Sequence, residues 1–223
     1  MMSMAFVCFC LLGSSQADET APRGTLNVDK DLVLVGTRSQ LDWQIQYPTP
    51  VTEVVELINN GTVVAKKNMR MRVRTLGVAF QSGSRQLPLD AYWSLNNGSW
   101  QRFFYGISTQ VKPSDVLIDV TVKTNDKVDF AARGYSGSTW YPLHHTRVKD
   151  PYVIVLKNGD RAPSYAPAYD QASVDSFLKP YVDGSGRIRI GNRDLIILWE
   201  ASNAAPGTTY FDMQDLVVLV TFE

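Results

Sequence analysis

The chain has 223 residues, with 22 Lys plus Arg balanced by 22 Asp plus Glu. That balance leaves no whole-chain field to draw in nucleic acid or an anionic membrane. An apolar fraction of 44% and a charged fraction of 20% belong to a globular protein able to bury a full core without metal or disulfide support.

The first residues read as a targeting segment. Ala5 to Leu12 (AFVCFCLL) is a short apolar run, and small residues at Ser15 and Ala17 fit a signal-peptidase site with cleavage after Ala17. The leading MMSMA carries no Lys or Arg, which departs from the usual signal pattern. The run is too short to span a bilayer, and no later apolar stretch approaches ~20 residues. Residues 1–17 are therefore expected to be a signal peptide and residues 18–223 a single exported domain, placed in the periplasm, at the cell surface or outside the cell. Cys8 and Cys10 both lie in the targeting segment. The exported chain is then cysteine-free, which excludes disulfides and thiolate chemistry and fits a bacterial cell envelope.

Along the rest of the chain, period-2 alternation dominates. Leu41, Trp43, Ile45 and Tyr47 alternate with Asp42, Gln44 and Gln46, and such a strand carries one buried and one wetter face. VTEVVELI and TVVA flank Asn60-Gly61. Met69, Met71 and Val73 then alternate with Arg70, Arg72 and Arg74. LDAYWSL and SWQRFFY flank Asn97-Gly98, and Val116, Ile118, Val120 and Val122 form a further strand pattern. Asn158-Gly159 follows PYVIVLK, and DGSG precedes RIRI. Asn-Gly tolerates the positive φ of tight hairpins, so antiparallel connections are expected.

One helix is expected over Ser173 to Tyr181, where Val174, Phe177, Leu178 and Tyr181 fall at helical spacing. Asp170 or Ser173 would cap it and Pro180 would limit its end. Asn192 to Glu200 and Asp215 to Phe222 differ from the earlier strands: LIILW and LVVLVTF are nearly continuous apolar runs, the mark of central strands covered on both faces. The pattern predicts an all-β fold, an antiparallel β-sandwich or jelly-roll-like domain with one short helix. An outer-membrane barrel would need strands of about ten residues with an outward apolar band. Here several strands are shorter and the charges are scattered.

Three constellations could carry function. Arg70, Arg72 and Arg74 share one strand face with Lys66 and Asn68 and could track a polyanion, since Arg suits bidentate contact with phosphate or carboxylate. Cross-strand pairing with Glu53 and Glu56 would account for the same row. Trp93 and Trp100 crowd one hairpin with Phe103, Phe104 and Tyr105, and could stack on sugars or serve the core. Glu200, Asp212 and Asp215 bracket the loop between the last two apolar strands and could offer hard oxygen ligands to Ca2+, or act as ordinary turn carboxylates.

No catalytic signature is present. Gly134-Tyr135-Ser136-Gly137-Ser138 places Ser138 where a nucleophile elbow needs Gly, and no helix pattern follows. His144 and His145 are the only histidines, and neighbours on a strand face opposite ways, so they are not expected to share a metal. Beyond Ca2+ no cofactor is indicated. The expected function is a non-catalytic binding or structural and adhesive role in the cell envelope, toward glycans, anionic envelope polymers or copies of itself, with no nucleic-acid partner. The alternative is a secreted hydrolase whose site is assembled from distant strands.

Overall fold

The computed structural model describes residues 22–28, 41–59, 61–166 and 172–223. Segment 1–17, Asn60 and Asp170 lie outside the described residues. Two antiparallel sheets dominate. The inner sheet runs in the order β10 (Ile118–Val122), β5 (Met69–Val78), β15 (Leu216–Phe222), β14 (Asp194–Trp199) and β13 (Val153–Lys157). The outer sheet runs β3 (Val55–Ile58), β4 (Thr62–Ala65), β11 (Lys127–Gly134), β8 (Leu89–Leu95) and β9 (Gln101–Gly106), with the short β12 (His144–His145) also paired to β11. A small separate hairpin pairs β6 (Gln81–Ser82) with β7 (Arg85–Gln86). The all-β antiparallel sandwich expected from the sequence is the fold observed.

Alternation decides which side chains meet between the sheets. Met69, Met71 and Val73 of β5 point inward while Arg70, Arg72 and Arg74 point away. They join Ile197 and Val218 from the inner sheet and Val63, Leu89 and Phe130 from the outer one. The inner sheet has a second apolar face, which explains the unbroken runs in β14 and β15. Ile196, Leu198, Val217 and Leu219 pack beneath Val174 and Leu178, together with Ile188 and Met213. Val174 and Leu178 belong to α2 (Val174–Leu178), which falls within the expected helical segment. Ser173 caps it by accepting the Ser176 N–H at 3.2 Å. Helix and sheet approach closely because residue 77 is glycine; a Cβ there would sit 2.3 Å from the Phe177 ring.

Some elements differ from the sequence reading. VTEVVELI is not one strand: Val51–Val54 forms a helical turn, α1, before β3 begins. Spacing of three residues lets Val51 and Val54 both enter the core, which a strand would not allow. In the β8–β9 turn the positive φ values fall on Asn96 (53°) and Asn97 (57°), one residue earlier than the Asn97-Gly98 pair. Asn158-Gly159 does not close a tight hairpin: the chain runs through α2 before β14 returns to pair with β13. Val116 is exposed, and the strand starts at Ile118.

The largest difference is the ribbon formed by β1 (Arg23–Val28) and β2 (Leu41–Gln46). Register places Leu26 opposite Trp43, and that face was expected to be buried. Instead Trp43 and Tyr47 are each 67% exposed, and Leu26 and Ile45 are exposed with them. Among the described residues, the ribbon is a separate two-stranded sheet, which has no second layer to cover its face.

The packing sets the expected response to truncation. Ile197→Ala should cost about 2–5 kcal/mol, whereas Val116→Ala should stay within about 0.5 kcal/mol. Removal of residues 216–223 should abolish the cooperative transition in denaturant melts altogether, because it takes out a strand buried on both faces.

Candidate metal centre

The β14–β15 register pairs Trp199 with Leu216. The next residue outward on each strand is an acid, so Glu200 and Asp215 face one another across the ladder. Like charges placed directly opposite are destabilising. Asp212 returns to the same point through a turn in which Met213 adopts a φ of 57°. That left-handed conformation costs a residue with a side chain about 1–2 kcal/mol, and the burial of Met213 in the core beneath α2 holds it in place. One oxygen from each of Glu200, Asp212 and Asp215 lies within 4.8 Å of the others. The three residues are 1%, 2% and 4% exposed. The sequence placed these acids at the two ends of one loop, and the fold brings them to a single point.

The carboxylates are fixed by the backbone. The Glu200 carboxylate accepts the Ser202 N–H at 3.3 Å, the Ser202 hydroxyl and the Asp212 N–H at 3.1 Å. The Ala201 N–H donates to Asp215 Oδ2 at 2.7 Å. Burial pushes the Asp215 carboxyl well above the usual range, and the neighbouring Glu200 and Asp212 push it further. Like charges this close and this deeply buried cannot all stay ionised without compensation. A shared proton or a cation resolves the conflict.

Gln214, which the sequence reading did not single out, lies against the acids. It is fully buried, its Nε2 donates to Asp212 Oδ2 at 3.0 Å, and its carbonyl Oε1 has no hydrogen-bond partner. Rotating the amide would turn that oxygen toward the carboxylates, since the two ends of an amide group are nearly isosteric. Three carboxylates and one amide oxygen are hard ligands of the kind calcium takes, and oxygens on opposite sides of a Ca2+ at 2.3–2.6 Å stand about 5 Å apart. Magnesium, at 2.0–2.1 Å, demands a near-ideal octahedron and gives up its waters reluctantly. A cleft of about 330 Å³, lined by Tyr141, Asn203 and Tyr210, opens beside the acids and leaves room for water to fill the remaining coordination positions.

Both histidines lie outside this donor set. His144 donates from Nε2 to the Ser202 carbonyl at 2.9 Å, and its Nδ1 is 3.2 Å from Asp150 Oδ2. Its ring stacks on Tyr152 at 4.0 Å. It thus braces the loop whose serine holds Glu200. His145 faces the other way, toward Trp100 at 5.8 Å. The Ser136 hydroxyl donates to the Thr139 carbonyl at 2.9 Å and accepts the Thr139 N–H at 3.0 Å, so it serves a turn.

The arginine row is paired on its own sheet. Arg70 grips Asp119 with two bonds of 2.5 and 2.6 Å, and Arg72 meets Glu223 at 2.8 Å. Arg74 acts electrostatically on Asp194. These carboxylates replace the expected Glu53 and Glu56 because β5 lies between β10 and β15, while the segment carrying Glu53 and Glu56 leads into the other sheet. Trp93 packs against the core. Trp100 lies 4.0 Å beneath the Arg147 guanidinium, which is itself held by Asp129 and Ser94.

No protein-family model, curated protein or solved structure matches this chain. The chemistry of the site therefore rests on its own geometry.

The raised Asp215 pKa gives a pH dependence with a definite sign. The folded state keeps the proton that the unfolded chain, with an Asp pKa near 3.9, gives up. This group's contribution to stability is therefore greatest below about pH 4 and falls as pH rises toward its folded-state value. In EDTA, wild-type stability minus that of Asp215→Asn should decline as pH rises above about 4. A pH-independent difference in urea melts would show that Asp215 ionises freely.

Proposed function

We propose that this protein is an exported, non-catalytic binding module of the cell envelope, whose loop between β14 and β15 is locked by a calcium ion. The observation that carries this reading is the convergence of Glu200, Asp212 and Asp215, with the buried Gln214 amide held against Asp212. Export is supported by the apolar run and the small residues before Asp18. It also fits the metal: extracellular modules bind Ca2+ with dissociation constants of roughly 10⁻⁴–10⁻³ M, and a site that must first release a proton suits that range.

Calcium here is an organiser. It would clamp the two ends of the loop that carries Ser202, Asn203 and Tyr210 into the cleft wall. Holding binding residues on a rigid scaffold is how such modules gain affinity without chemistry. The hydrolase alternative needs two carboxylates with a sugar or water between them. Here the acids are buried, with backbone donors on Glu200 and Asp215 and the Gln214 amide on Asp212, an arrangement suited to holding an ion.

Saturation at about 100 times Kd should stabilise the folded state by about 2.7 kcal/mol. For a chain of this size that raises the melting temperature by roughly 5–10 °C. Calcium should produce this shift, magnesium a smaller one, and Glu200→Gln or Asp212→Asn should remove it. A wild-type melting temperature indifferent to calcium would contradict the proposal. Glycan cleavage by the wild type that Glu200→Gln abolishes would replace it with the hydrolase reading.

A further inference from the structure

A second constellation lies on the outward face of the outer sheet, away from the calcium cleft. Register aligns Tyr105 of β9, Asp90 of β8 and Arg133 of β11 in one row across three strands. A bulge between Ala91 and Tyr92 then sets Arg102 opposite Tyr92, on the same face. Asp90 is 2% exposed and lies under this group. It accepts from Arg102 at 3.2 Å, from Arg133 at 3.5 Å and from the Tyr92 hydroxyl at 2.7 Å. The turn after β11 folds Trp140 back over the row. Arg133 lies 4.5 Å from the Trp140 ring, and the Tyr105 ring lies 6.4 Å from it.

Two features of this face go beyond what folding needs. The first is charge: two guanidinium groups share one carboxylate, which leaves one positive charge in surplus at a surface where the Arg102 side chain is 56% exposed. The second is an aromatic ring left in water. Tyr105 is 53% exposed and stands beside that same arginine, whose guanidinium carbon is 5.5 Å from its ring. In addition, the buried Nε of Arg133 has no hydrogen-bond partner.

From these observations we infer that the Tyr105–Arg102–Arg133–Trp140 face binds a carboxylate-bearing sugar, such as a uronic-acid unit of an acidic glycan. The negative face of an aromatic ring attracts the weakly positive C–H face of a pyranose. A guanidinium fork matches a carboxylate in plane and charge. A neutral sugar would use the ring and leave the surplus charge unmatched. The residues stand mainly on strands, braced from below by Asp90 and Tyr92, so little freedom is lost on binding. This inference does not depend on calcium, since none of these side chains lines the cleft beside Glu200.

The test is titration calorimetry of the full chain in EDTA with three probes: an oligogalacturonate, a neutral cello-oligosaccharide of equal length, and a single-stranded oligonucleotide. The oligogalacturonate should bind in preference to both others, and more weakly as salt rises. Tyr105→Ala and Arg102→Gln alter exposed side chains. Each should weaken that binding at least about tenfold; Tyr105→Ala should leave the melting temperature unchanged, whereas Arg102→Gln, which leaves the buried Asp90 with Arg133 alone, should lower it slightly and still fold. Absence of oligogalacturonate binding would overturn the inference, as would equal affinity for the neutral sugar, preference for the oligonucleotide, or full affinity in both variants. Because EDTA is present throughout, failure of the calcium site would leave the outcome unaffected.

Discussion

Burial of β15 on both faces is the constraint from which the rest of this structure follows. The strand lies third of five in the inner sheet, and Leu216 to Val220 are buried at every position. Fully burying each such side chain is worth roughly 1.5–3 kcal/mol, against a typical domain stability of roughly 5–15 kcal/mol. A strand like this needs two covers. The outer sheet supplies one, and the layer containing α2, Ile188 and Met213 supplies the other. Close approaches at Gly77 to Phe177 and at Gly134 to Phe80 let those covers seat.

The acidic centre is built onto the end of the same strand pair. Once Trp199 and Leu216 are locked in register, Glu200 and Asp215 have no freedom to separate, and the left-handed Met213 directs Asp212 toward them. A rigid apolar ladder thus enforces a juxtaposition that electrostatics alone would disperse. Backbone N–H groups and the Ser202 hydroxyl satisfy outer lone pairs of Glu200, while His144 braces the Ser202 carbonyl. The inner oxygens of Glu200 and Asp215 come within hydrogen-bonding reach of one another, an arrangement that either a shared proton or a cation satisfies.

Local pattern made much of the scaffold legible. The unbroken LIILW and LVVLVTF runs identified the doubly buried strands, the Met–Arg alternation identified β5, and Ser173 marked the start of α2. The acids could be read as a loop bracket, but their convergence depends on β14 and β15 being sheet neighbours. Gln214 could not be found in this way, since its role arises from where Asp212 points. The partners of Arg70 and Arg72 were misplaced for a related reason: nearness in sequence suggested Glu53 and Glu56, while sheet order brought Asp119 and Glu223. The Tyr105–Asp90–Arg133 row is equally invisible in the sequence, being assembled from three strands and shifted by a bulge.

The central claim is that Glu200, Asp212, Asp215 and Gln214 form a calcium site, and a crystal structure grown in saturating calcium tests it most directly. The account predicts an ion peak about 2.3–2.6 Å from one oxygen of each carboxylate, with the Gln214 amide turned to present Oε1. Density showing Glu200 and Asp215 joined by a hydrogen bond, with no ion between the three acids at saturating calcium, would contradict it.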